Sequence, residues 1–72
     1  MNAKELWKLN IERYEESGLS QEELALDIGA NQSNISRYLS LAPKRIGSLA
    51  VKIHLRFGGK LQDIGWFENE SQ

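Results

Sequence analysis

Seventy-two residues, 40% hydrophobic and 26% charged, make one ordinary globular domain; a chain this short buries only about 60% of the surface its unfolded form exposes, too little for a deep catalytic cleft. With no cysteine and a single histidine, His54, a disulfide framework and a thiolate or multi-histidine metal site are excluded, and no cofactor is expected. No apolar run approaches the roughly 20 residues of a membrane span, and Lys4, Glu5 and Lys8 precede no signal-like apolar block, so a soluble, cytoplasmic protein without a membrane partner is expected.

The net charge of −1 conceals an asymmetry. Residues 1–30 carry seven acids against Lys4, Lys8 and Arg13, and residues 61–72 carry Asp63, Glu68 and Glu70 with no base. Between them stand Arg37, Lys44, Arg45, Lys52, Arg56 and Lys60 without one acidic residue. Such a block either faces phosphate or is a solvated surface, and for Lys52, Arg56 and Lys60 plain solvation is expected; if the block meets DNA, the acidic ends must point away from the duplex.

Residues 3–16 are rich in helix formers, with Trp7, Ile11 and Tyr14 at i, i+4 and i+7 and Leu6, Leu9 and Asn10 beside them, which predicts an amphipathic first helix. Ser20 and Glu23 then form the S-x-x-E pattern of a capping box, and Leu19 and Leu24 stand at the positions of a hydrophobic staple. A second helix over 21–28 follows. Gly29 can take the left-handed conformation that ends it, and two residues later Asn31 can cap a third helix over 32–39. On that helix Ile35, Tyr38 and Leu39 share one face, while Gln32, Ser33, Ser36 and Arg37 lie largely on the other. After the loop around Pro43, the apolar series Ile46, Leu49, Ala50, Ile53 and Phe57 predicts a fourth helix closed by Gly58 and Gly59. Its start is open, since Gly47 and Ser48 can lie inside it or cap it. Leu61, Ile64 and Phe67 suggest a last short helix. The expected fold is therefore a compact all-α bundle of four to five short helices, one domain over 1–67 with a frayed tail over 68–72.

Two short helices joined at a glycine are the unit whose second member can enter the major groove of DNA. Ala25 falls where the two would cross and Ile35 beneath the second. The pattern Gln21-x-x-x-Ala25-x-x-x-Gly29-x-x-x-x-x-Ile35 resembles the helix-turn-helix of the lambda repressor and Cro family of phage and bacterial regulators. The run Leu19-Ser20-Gln21-Glu22-Glu23-Leu24-Ala25 is similar to the way that family opens its second helix, and the likeness spans most of residues 9–67. Lys60, in place of a short capping residue, and the Gly47-Ser48 pair depart from the family's pattern.

The resemblance implies a sequence-specific regulator of transcription, a Cro-like repressor that binds the double-stranded DNA of a pseudo-palindromic operator as a homodimer. By the same resemblance Gln21 touches a phosphate and supports Gln32, while Gln32, Ser33 and either Ser36 or Arg37 read base edges. Asn31 and Asn34 contact the backbone, as do Lys44 and Arg45. The chemistry agrees: Gln pairs with adenine through two hydrogen bonds, Ser donates or accepts, and Arg reaches guanine or a phosphate. Trp66 and Phe67 stand where relatives pair their subunits, or they close the monomer's own core. An alternative is a protein-binding module of the same fold, an antirepressor or antitoxin acting on a partner repressor, motivated by Glu15, Glu16, Glu22, Glu23 and Asp27. No Ser, His and Asp are spaced as a triad, so no enzyme is expected, and His54, beside Ile53, reads as a partly buried structural histidine without an evident partner.

Overall fold

The computed structural model describes residues 1–65, which form five helices and no strand. The helices are α1 (Ala3–Ser17), α2 (Gln21–Ile28), α3 (Gln32–Ser40), α4 (Ser48–Arg56) and α5 (Leu61–Ile64). An all-α bundle is what the sequence predicts, and α2 matches its expected limits at both ends. Trp66, Phe67 and the tail over 68–72 lie outside the described residues. None of the described helices is long and apolar enough to cross a membrane.

Local chemistry sets the helix ends. Asn2 opens α1 as Ser20 opens α2, each accepting the backbone N–H of a glutamate three residues on, Glu5 at 2.8 Å and Glu23 at 3.1 Å. Each glutamate returns the favour by accepting the cap residue's own N–H, at 2.9 Å and 2.8 Å. Gly29 ends α2 at φ +69°, and the N–H of Ala30 bonds back to the Ala25 carbonyl at 2.9 Å. A side chain at that φ would be strained, so glycine makes possible the three-residue turn to α3.

The core is built where α1, α2, α3 and α4 meet, from Leu6, Leu24, Ala25, Ile35, Tyr38, Ala50, Val51 and Ile53, with Ile64 of α5 closing one end. Helix α2 packs on α3, and α4 packs on both α1 and α2. On α1 the centre of the buried face differs from expectation: Leu6 and Asn10 are fully buried, whereas Trp7, Ile11 and Tyr14 are only partly so. Trp7 and Tyr14 still pack against the core. The stripe rotates because Asn10 has buried partners that its polarity does not advertise: its Nδ2 donates to the Tyr38 hydroxyl at 3.0 Å and to the Ala50 carbonyl at 3.1 Å.

His54 also corrects the sequence reading. It is fully buried rather than partly, and it has a partner, with Nε2 3.3 Å from Asp63 Oδ2. Asp63 further accepts the Lys60 N–H at 2.9 Å, so it does from inside α5 the capping that the Lys60 side chain cannot do. The backbone of Gly59 passes against the imidazole, and a Cβ added there would overlap the ring.

Gly59→Ala should therefore cost about 1–3 kcal/mol through overpacking, read as a Tm lowered by roughly 4–8 °C per kcal/mol in a domain of this size. Asp63 yields a pH prediction. The hydrogen bond from the Lys60 N–H, first, holds its carboxyl below the ordinary value of 3.8; desolvation opposes it, and the bond and charge of His54 add to the lowering. A carboxyl whose pKa is lower in the folded chain stabilises the fold above the unfolded pKa and loses that contribution as pH falls through the folded one. Asp63→Asn should thus make the fall of Tm on acidification below about pH 4 shallower than in the parent chain.

Candidate nucleic-acid interface

The first turn of α3 is an open polar surface. Asn31, Gln32, Ser33 and Asn34 are all exposed, and Arg37, one turn further on, is exposed beside them. Their placement follows from the buried side of the helix. With Ile35 and Tyr38 sunk in the core, Ser33 and Arg37 fall on the opposite side of the helix and Gln32 and Asn34 flank its buried face, while Asn31 stands just before its first turn.

Helix α3 begins differently from α1 and α2. Asn31 stands at its N-cap with no side-chain capping bond, so the Asn31 amide is free for an external partner. The first turn of α3 contains no acidic residue. Free N–H groups there, together with the positive end of the helix dipole, favour an anion. Helix α4 likewise starts at Gly47 with no side-chain cap, which places Gly47 outside the helix and Ser48 at its first position.

The other predicted residues surround this turn unequally. Gln21 is half-buried at the first position of α2, and no hydrogen bond joins it to Gln32 among the described residues. Ser36 is half-buried too, and its carbonyl accepts the Ser40 hydroxyl at 2.9 Å. Lys44 and Arg45 are exposed in the loop between α3 and α4. Arg56, expected to be merely solvated, instead forms an ion pair with Asp27, its Nη2 2.9 Å and its Nε 3.0 Å from Oδ2, and so ties α4 to α2. Both partners are about 40% exposed, which makes the pair a modest contributor to stability.

The pose of α3 is fixed from behind. The Trp7 indole N–H donates to the Tyr38 carbonyl at 2.7 Å, and Asn10 holds the Tyr38 hydroxyl. Burial pushes the Tyr38 phenol above its ordinary pKa against the opposing effect of the Asn10 bond, so the ring sits neutral in the core. These contacts join residues 31 and 28 positions apart and escape periodicity; the signal they leave in the sequence is an asparagine inside the apolar stripe of α1.

A cleft of about 550 Å³ runs beside the exposed face of α3, between it, the α2–α3 turn and the start of α4. It brings Asn31, Asn34 and Arg37 together with Lys52, a residue that sequence reasoning left as a solvated charge. Gln21, Gln32, Ser33, Ser36, Lys44 and Arg45 do not line it. Among the described residues no three His, Cys, Asp or Glu side chains come together as a metal site. Comparison with protein-family models, with curated proteins and with solved structures returns no match for the chain.

The contrast between capped and uncapped helix starts can be measured. Ser20→Ala should cost about 1 kcal/mol of stability, whereas Asn31→Ala, which removes no capping bond, should leave the unfolding free energy from urea titration within a few tenths of a kcal/mol of the parent.

Proposed function

We propose that the chain is a sequence-specific double-stranded DNA-binding regulator of transcription, a Cro-like repressor working in the cytoplasm, with α3 as its recognition helix. The observation that carries this reading is the exposed, acid-free first turn of α3, Asn31 to Asn34, backed by a helix whose opposite side is locked into the core. A short helix bearing amides and hydroxyls at its tip has the dimensions and the donor and acceptor groups to reach base edges in the major groove. Gln32 and Ser33 then read bases, Arg37 reads a base or holds a phosphate, and Asn31, Asn34, Gln21, Lys44 and Arg45 fix the backbone.

Charge geometry supports the same orientation. The exposed cations Arg37, Lys44, Arg45 and Lys52 belong to α3, the loop after it and the solvent side of α4, whereas Glu12, Glu15, Glu16, Glu22 and Glu23 are exposed on α1 and α2. Arg56 is neutralised by Asp27 and adds little to the field. A homodimer with Trp66 and Phe67 at its contact would set two recognition helices roughly 34 Å apart and select a two-fold-related site.

A second reading is a protein-binding module of the same fold, an antirepressor or antitoxin. The exposed acids of α1 and α2, Glu15, Glu16, Glu22 and Glu23, favour it, with Leu26, 77% exposed, one turn beyond Glu22 on the same helix.

Selection of bound duplexes from a random pool, followed by binding measurements across salt, tests the first reading. It should enrich one motif with two-fold symmetry. Gln32→Ala or Ser33→Ala should cost about 1–3 kcal/mol and relax preference at one base pair. Lys44→Ala and Arg45→Ala should weaken every sequence alike and flatten the salt dependence. A pool that enriches nothing, with a protein partner co-purifying instead, would establish the second reading and overturn the first.

A further inference from the structure

We propose that the cleft between α3 and α4 is a binding site for a small organic anion, a carboxylate carried on an apolar body about the size of one aromatic ring. Its volume, about 550 Å³, falls within the roughly 300–1,000 Å³ of small-molecule sites. Its apolar wall is made by Leu41, Pro43, Leu49 and Tyr38, and its two cations are Arg37 and Lys52. Leu41 is 71% exposed, so this wall stands open to water in the free chain.

No acidic residue lines the cleft, and neither Arg37 nor Lys52 makes an ion pair among the described residues. Two unpaired cations beside uncovered apolar surface call for an occupant with both properties. Inorganic phosphate would meet the cations and leave Leu41, Pro43 and Leu49 in water. A neutral hydrocarbon would cover those three and leave the cations without a counter-charge. An amphipathic carboxylate satisfies both, its head charge-assisted by the guanidinium and ammonium groups and its body taking apolar area out of water.

The cleft also borders the face of α3 proposed to meet DNA, since Asn31, Asn34 and Arg37 belong to both. An occupied cleft would therefore withdraw Arg37 from the duplex and lower operator affinity. That competition rests on the reading of α3 as the recognition helix; the binding of the anion does not.

The test is a ¹⁵N NMR titration of the full chain, without DNA, using three probes: 3-phenylpropionate, its neutral amide and inorganic phosphate. Saturable shifts of the Leu41, Leu49 and Lys52 amides with the carboxylate are expected, with the amide and phosphate each binding at least about tenfold more weakly. Lys52→Gln should lose about tenfold in carboxylate affinity, while Lys4→Gln, on the outer face of α1, should lose none. Equal binding of acid and amide, equal binding of phosphate, or no saturable shift would each overturn the site, and the first two comparisons need no variant. A duplex-binding assay run in parallel reads the other proposal separately: an anion that seats while no DNA sequence is selected would sink the regulator reading and leave the cleft site standing.

Discussion

The grip of α1 on Tyr38 holds the exposed face of this molecule in place. One residue of α3 is seized twice from the same helix, its carbonyl by the Trp7 indole at 2.7 Å and its hydroxyl by the Asn10 amide at 3.0 Å. Asn10 also takes the Ala50 carbonyl, so a single buried amide sets α1, α3 and α4 relative to one another. Hydrogen bonds specify a geometry more sharply than apolar contact does, because a small rotation of α1 would strand their donors in the core. The arrangement has a cost: Asn10 Oδ1 finds no partner among the described residues, and a buried polar atom left so costs about 1–3 kcal/mol. That cost falls on the element directing which side of α3 meets water.

A second buried polar group does the same for the far end of the bundle. His54 sits in the core with Nε2 turned to Asp63 and the Gly59 backbone closed against its ring, while Nδ1 has no hydrogen-bond partner among the described residues. Helix α5 is only four residues long, with one fully buried apolar side chain, Ile64. Its attachment thus leans on Asp63, which serves helix end and histidine at once. Short helices with small buried faces are where a domain of this size opens first.

What could be read from the sequence was local. The limits of α2 were legible because both of its signals, Ser20 with Glu23 and then Gly29, act within four residues of the helix end. The buried face of α4 was half legible: Ala50 and Ile53 were expected, but Val51 and His54 complete it, and His54 needs a partner nine residues away. On α1, hydropathy favoured Trp7, Ile11 and Tyr14 over Asn10, whose partners lie 28 and 40 residues downstream. The exposed residues of the α3 tip were legible too, since fixing Ile35 and Tyr38 inside turns Ser33 and Arg37 to the opposite side. The cleft was not, because it arises only when a loop and two helices close around one space. Lys52 looked like an ordinary surface charge until the opposite wall was in place.

One bond described above makes the molecule able to report on itself. Trp7 is one of only two tryptophans in the chain, and its indole hydrogen is shared with a carbonyl in the last turns of α3. Indole emission is sensitive to such a bond and to the polarity around it. The seating of that helix is therefore written into the chain's own ultraviolet fluorescence, and events at its tip can be followed from its tail without an attached dye.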